Sequence, residues 1–292
     1  MRILIAGASG FIGTALTERL RAAGDEVRVL VRRAPSATHE VPWTPGQALH
    51  PAELDGVDAV VNLAGASISQ LPWTAKRKTA ILQSRLDATH TLTTAVRANP
   101  GAALVNASAV GLYGDRGDEP LTEAAGPGTG FLADVVEQWE AAALEVADVT
   151  RVVTFRTGLV IGDGGAIAPL RAMMTAGMGG NLGNGRQWWP WISLTDEVAA
   201  IEFLLRSKLA GAVNLAGPNP ATMGEIGRTL SRIMHRPFYL HAPAFALKLA
   251  LGEAADELLL ASQRVVPQRL LDAGLAFEHP TAEAALRALF RA

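Results

Sequence analysis

Short apolar runs and longer amphipathic stretches alternate through the first two thirds of the chain. RILIAG, EVRVLVRR, DAVVNLAG, AALVNASA and RVVTFRTGLVIG read as strands, rich in β-branched residues and apolar along most of their length. Between them, FIGTALTERLRAAG has helical spacing and ends in a glycine suited to a C-cap. Residues 73–98 and 131–147 carry further helical patterns. Strands that are apolar on both faces belong in a parallel sheet covered by helices on each side. The β-α alternation predicts the same arrangement, an α/β fold with a doubly wound parallel sheet.

The texture changes after about Gly162. A Gly- and Met-rich segment leads into the aromatic run QWWPWIS, then a helix is expected over 195–207 and a strand at GAVNLAG. From about residue 222 the pattern is mainly helical, interrupted by Pro237, Pro243 and Pro267. This predicts two units. Residues 1–162, completed by about 190–216, form the sheet domain, and residues 163–189 and 217–292 form a small, mainly helical substrate lobe.

Composition narrows the function classes. A chain of 292 residues with 49% hydrophobic residues can bury a sizeable core. The net charge is −2, and basic residues occur in short groups such as Arg32-Arg33, so nucleic acid is not an expected partner. The absence of cysteine excludes disulfides and thiolate catalysis. The six histidines lack ligand spacing, and no metal site is expected. The N-terminus runs straight into a strand rather than a signal peptide, and no apolar run is long enough to cross a membrane. A soluble cytoplasmic protein is the resulting expectation.

IAGASGFIG places Gly7, Gly10 and Gly13 between the first strand and the first helix. There, Gly7 allows a tight turn, Gly10 admits a pyrophosphate close to the backbone, and Gly13 lets the helix pack near the sheet. The first helical N–H groups face the anion. The second strand ends in Arg32 and Arg33, where an NAD site usually carries an acid for the ribose hydroxyls. Guanidinium suits a 2′-phosphate instead, so the expected cofactor is NADP(H).

GASGFIG, VNLAG and NASAVGLYG resemble the extended short-chain dehydrogenase/reductases, which include sugar-nucleotide epimerases. WTAKRKTAILQSR, RTGLVIGDGGAIAPL, GMGGNLGNGRQWWPWIS and LLLASQRVVPQRLLDAGLAFEHP resemble more closely an atypical subgroup of epimerase family proteins, some of them cell-division-inhibitor-like. The resemblance covers essentially the whole chain. It implies a Rossmann domain with a C-terminal substrate lobe and NADP(H) binding. It further implies that Gly7, Gly10, Phe11, Ile12 and Gly13 form the phosphate loop. Arg32 and Arg33 would take the ribose phosphate, and Leu63, Ala64 and Gly65 would flank the adenosine and pyrophosphate. Arg85 would reach the cofactor from the long helix, and Val160 would lie near the nicotinamide.

Ordinary members of that family carry a Tyr and a Lys four residues apart on the helix at 131–147. Here Leu132 and Val136 stand on the matching face, and neither of the two tyrosines is followed by a lysine at that spacing. The remaining catalytic candidates are Ser108, at the end of the strand LVNAS, and Tyr113 in GLYG. Asp134, Glu137 and Lys76 read as solvated charges. The Trp188–Trp191 run reads equally as pocket wall or as core. The expected activity is hydride transfer to or from a small carbonyl or alcohol substrate without the Tyr-Lys dyad. The alternative is a non-catalytic NADPH-binding sensor.

Overall fold

The computed structural model describes residues 1–290. Its strands are β1 (Arg2–Ala6), β2 (Glu26–Val31), β3 (Glu40–Pro42), β4 (Ala59–Asn62), β5 (Ala103–Ala109), β6 (Pro120–Leu121), β7 (Val152–Thr157), β8 (Leu159–Gly162), β9 (Gly164–Gly165), β10 (Gly180–Leu182), β11 (Trp188–Trp189), β12 (Trp191–Ser193) and β13 (Gly211–Leu215), followed by shorter pairings. Seven of them form one sheet in the order β13-β7-β5-β4-β1-β2-β3, and every pairing within it is parallel. The strand order reverses between β1 and β4, which opens a crevice at their carboxyl ends.

Six helices carry the argument: α1 (Phe11–Ala22), α2 (Ala75–Ala98), α3 (Phe131–Leu144), α4 (Ala168–Thr175), α5 (Leu194–Arg206) and α6 (Met223–Met234). One sheet face is covered by α1 and α5, whose Leu16, Leu20, Ile201 and Leu204 pack on Ile3, Ile5, Val153 and Phe155. The other face is covered by α2 and α3, through Ala88, Leu92, Val96 and Ala143, with Val146 just beyond α3. This is the doubly wound Rossmann arrangement expected from the apolar strands.

Helix ends follow local chemistry. Thr74 caps α2 by accepting from the Arg77 N–H at 3.2 Å, and Ser193 caps α5 by accepting from the Asp196 N–H at 3.0 Å. Thr222 and Glu225 form a reciprocal capping box at α6. Pro243 and Pro267 stand at N-caps, so they start helices rather than only interrupting them.

One element departs from its sequence reading. RVVTFRTGLVIG is two strands, not one: β7 ends at Thr157 in the main sheet, while β8 pairs with β12 and β9 in a separate three-stranded sheet. Gly158 makes the break possible. A Cβ there would collide with the Pro190 carbonyl oxygen, and the Leu159 N–H donates to that oxygen at 2.6 Å. The segment beyond β8 builds its own apolar core from Ile167, Leu170, Met174, Trp191, Met223, Ile226 and Leu286. No helix among the described residues is long and apolar enough to cross a membrane.

Candidate functional site

The glycine loop is built by close approach. Gly7 has φ +83°, and a Cβ on it would sit 2.7 Å from the Leu63 carbonyl, so the loops after β1 and β4 abut here. At Gly13 a Cβ would run into the Gly7 carbonyl oxygen and lie 2.8 Å from Ala8 Cα, which seats the first turn of α1 on the loop. Gly10 is the N-cap of α1, with no side-chain cap and no acid in the first turn. The helix therefore presents uncapped N–H groups and its positive dipole end at the crevice. Phe11 packs its ring against Gly162, Gly164 and Gly165, and so holds the turn after β8. Ile12 packs on the main core. The Leu63 N–H donates to the Ala6 carbonyl at 2.9 Å, and the Ala64 N–H to Asn62 Oδ1 at 3.1 Å.

The two arginines after β2 are not equivalent. Arg33 forks onto Glu40, at 2.5 and 2.9 Å, and also donates to the Ala34 carbonyl. That guanidinium holds the Glu40 carboxyl down to about 2. Arg32 is exposed and makes no ion pair or side-chain hydrogen bond among the described residues. It is the arginine available to a phosphate.

A cavity of about 120 Å³ lies at the carboxyl ends of β5 and β7, between α2, α3 and the segment 257–263. Leu132 and Val136 both line it, so the helix face that carries the dyad in ordinary relatives is apolar. Trp189 and Pro190 supply another wall. Trp191 instead is buried, with its indole N–H on the Asn219 carbonyl at 3.0 Å. The Arg85 guanidinium enters from α2, 5.0 Å over the Trp139 ring, and packs on Gly65. It donates to the Ala66 and Ile81 carbonyls and has no carboxylate partner among the described residues. Burial, with the charge of Arg77 adding to it, lowers its pKa to about 10.

Glu257 lines the same cavity and caps α3 from a distant part of the chain. Its two oxygens accept the Phe131 N–H at 2.6 Å and the Leu132 N–H at 2.9 Å, where Gly130 offers no side-chain cap. Burial raises its pKa.

Ser108 and Tyr113 lie elsewhere. Both are buried, and neither lines the cavity. The Ser108 hydroxyl donates to Glu140 Oε1 at 2.5 Å. Arg156 grips both oxygens of Glu140, at 2.8 and 2.9 Å, and donates to the Tyr113 hydroxyl at 2.9 Å. That hydroxyl in turn donates to Asn214 Oδ1 at 2.7 Å, and burial raises its pKa. Ser108 points toward α3 at the level of Glu140, outside the cavity, and its neighbour Ala109, one residue nearer the strand end, lines it. Both catalytic candidates thus belong to a buried polar chain outside the cavity. Val160 is buried in β8 beside Trp189 and Trp191, in a small apolar crevice that shares Leu159 and Trp189 with the larger cavity.

Sequence reading missed Thr157 and Glu197. Thr157 lines the cavity, and its hydroxyl donates to Glu197 Oε1 at 2.8 Å. Glu197 is fully buried in the first turn of α5, its Oε2 has no partner, and burial pushes its pKa to about 8. The signal lay in helical spacing: Glu197 shares a face with Ile201 and Leu204, where an acid does not belong. Among the described residues no group of acids and histidines could hold a metal ion.

The chain is similar to known proteins in sequence and in fold. Residues 3–216 match the NAD dependent epimerase/dehydratase family, and residues 242–289 match a domain of unknown function, DUF1731. Epimerase family protein Mb2239 of Mycobacterium bovis is 43% identical over 288 residues, covering 97% of this chain and 96% of its own length. Epimerase family protein SDR39U1 of Mus musculus is 35% identical, over 98% of this chain and 99% of its own. The crystal structure of human epimerase family protein SDR39U1 (isoform 2) with NADPH superposes with a TM-score of 0.90, at 31% identity, covering 100% of this chain and 99% of that one. MoeE5 in complex with UDP-glucuronic acid and NAD shares the fold, with a TM-score of 0.78 at 20% identity.

Proposed function

The chain belongs to the NAD dependent epimerase/dehydratase family, and from that premise we propose that it binds NADP(H) and transfers hydride to or from a small carbonyl or alcohol without a Tyr-Lys dyad. The observation that carries this reading is the junction of the glycine loop, the uncapped α1 N-terminus and the unpaired Arg32. These residues fit a dinucleotide with a 2′-phosphate. Gly10 leaves room for the pyrophosphate, Gly7 and Gly13 let the loop and α1 pack closely beneath it, and the first-turn N–H groups bind it. Leu63, Ala64 and Gly65 flank the adenosine side, and Arg32 takes the phosphate, with Arg33 behind it on Glu40. The human relative crystallised with NADPH supports the same choice.

Residues 1–162 with about 190–216 then act as the cofactor domain, and the remainder as the substrate lobe. When bound, the nicotinamide supplies the hydride; the cavity orients the substrate and excludes water. Arg85, packed on Gly65, sits where it reaches the cofactor or an anionic part of the substrate.

The second reading is a cofactor-binding sensor, and the burial of Ser108 and Tyr113 in a structural network favours it. One experiment separates the two. Dissociation constants for NADPH and NADH are measured by calorimetry, and NADPH consumption is then followed against a panel of small aldehydes and ketones. Selective NADPH binding with turnover supports the oxidoreductase. Selective binding with no turnover supports the sensor. Equal affinity for both cofactors removes the role of Arg32.

A further inference from the structure

The site lacks the tyrosine that ordinarily delivers a proton, and most groups near the cavity are already committed. Leu132 and Val136 have no proton to give. Ser108 and Tyr113 are tied to Glu140, Arg156 and Asn214. Glu257 spends both oxygens on backbone donors of α3. One hydroxyl remains at a strand end. Ala109 of β5 and Thr157 of β7 are register partners, and both line the cavity. Thr157 is thus a hydroxyl-bearing residue that lines the cavity at a strand end, one strand over from Ser108.

Behind Thr157 stands a buried acid with no ion-pair partner among the described residues. Glu197 is fully buried, forms no ion pair, receives one hydrogen bond from Thr157 and leaves Oε2 without a partner. A carboxylate in that setting is costly unless something uses it. Among the described residues, no other charge on α5 or on the elements packed against it pairs with Glu197, and Glu18 of α1 is exposed. Asp196, next to it on α5, accepts from the Ser193 hydroxyl and from the Glu278 and His279 N–H groups. His279 is held by Ser193 and lies 3.6 Å from Asp196. Arg156 of β7 is paired with Glu140 on the opposite sheet face. Arg19 of α1 pairs with Glu202, and Arg206 with Asp25 and Glu202, at the far end of α5. Within β8 and β12 there is no titratable side chain.

We propose that Thr157 and Glu197 form the proton relay of this site, with the Thr157 hydroxyl facing the substrate oxygen and Glu197 reloading it. The proposal rests on the reading that a reduced nicotinamide and a carbonyl meet in this cavity. The carbonyl carbon gains a hydride from the nicotinamide, and the C=O π pair moves onto oxygen. That oxygen takes the Thr157 Oγ proton. Thr157 takes the Glu197 carboxyl proton, leaving a carboxylate that solvent reprotonates after product leaves. In the oxidation direction the same steps run in reverse. A carboxyl whose pKa burial pushes to about 8 is protonated at neutral pH and gives its proton up readily. Thr157 is the catalytic residue in this scheme, and Glu197 the positioning and reloading group.

The test uses the full chain with ¹³C in its glutamate carboxyl carbons, titrated by NMR with saturating NADPH or NADP⁺. Glu197→Gln assigns the resonance by removing it. The expected midpoint is near 8 with NADPH. With NADP⁺ it falls by about half a pH unit or more, because the positive ring favours the carboxylate. A buried glutamate with a merely structural role has no reason to sense the redox state of the ring. Thr157→Ser keeps the wild-type midpoints, and Thr157→Val raises both by removing the hydrogen bond to the charged form. With any carbonyl of the panel that is reduced, the wild-type rate carries a pH limb near that midpoint, and Glu197→Gln removes the limb while NADPH affinity stays within about twofold. An ordinary carboxylate midpoint, or one identical with both cofactors, overturns the relay. Absence of cofactor binding is seen separately by calorimetry and overturns the underlying reading.

Discussion

Glu257 binds the backbone N–H of Leu132 at 2.9 Å across 125 residues of chain, and so ties the C-terminal segment to the helix that would carry the missing dyad. The contact completes α3, whose N-cap Gly130 has no side chain to do it. Glu257→Ala should lower stability to chemical denaturation by about 1–2 kcal/mol, the usual range for a lost N-cap. Glu257→Gln should cost less, because its carbonyl still accepts one N–H. A null effect of Glu257→Ala on the denaturation midpoint would show that α3 does not depend on this cap.

The arginines after β2 should separate in binding. Arg32→Ala is expected to weaken NADPH by about 10- to 100-fold, the scale of one or two charge-assisted hydrogen bonds, and to leave NADH nearly unchanged. Arg33→Ala should have a smaller effect, because Arg33 is already engaged by Glu40. Calorimetry with both cofactors reads the difference directly. Equal losses from the two variants would mean that Arg33 exchanges Glu40 for the phosphate.

Two glycines of one loop should fail in different ways. Gly10 has φ −78°, and a Cβ there meets only the Gly7 carbonyl oxygen, at 3.3 Å. Gly10→Val should fold, as judged by its thermal transition, and should lose cofactor binding. A Cβ at Gly13 collides with the loop backbone, so Gly13→Val should unfold at lower temperature even without ligand. A Gly10→Val protein that folds and still binds NADPH would place the pyrophosphate elsewhere.

Ser108 and Tyr113 should behave as stability residues. Ser108→Ala removes one donor from Glu140 but leaves the Arg156 pair intact, and Tyr113→Phe leaves an Arg156 donor and Asn214 Oδ1 without their partner. Each should cost about 1–3 kcal/mol in denaturant titrations, with NADPH affinity nearly unchanged. A selective loss of turnover at unchanged stability would return these residues to the catalytic role.

Glu197 should make stability depend on pH. Its folded pKa, about 8, lies above the ordinary glutamate value of 4.5. The native state therefore binds the proton more tightly than the unfolded chain, and its contribution falls as pH rises from the unfolded value toward the folded one. The loss should amount to about 2–5 kcal/mol by pH 8. Glu197→Gln should flatten this limb and be the more stable protein at pH 8. Denaturation midpoints of both proteins between pH 5 and pH 8.5, spanning about that window, decide it. Parallel curves would mean that Glu197 is ionised in the native state throughout.

The parts of this protein legible in its sequence are those in which the chemistry is local. The apolar strands, the glycine spacing after β1, the arginines after β2 and the lack of a Tyr-Lys pair on α3 each depend on residues close together in the chain. So did the Rossmann arrangement, because unbroken apolar strands alternating with helices have few other ways to bury both faces. The tertiary structure decided which strand-end hydroxyl meets the cavity. Ser108 was the visible candidate, but it stops one residue short of the cavity, and only the packing of α3 on β5 brings it to Glu140. Thr157 reaches the cavity because β7 ends there, and it ends there because Gly158 passes tightly against the Pro190 carbonyl, a contact between segments far apart in sequence. Arg33 was withdrawn from equal standing with Arg32 by Glu40, on the next strand of the sheet. The Glu197 carboxyl became a buried acid only when α5 packed against the sheet, since burial, not residue type, shifts its proton affinity.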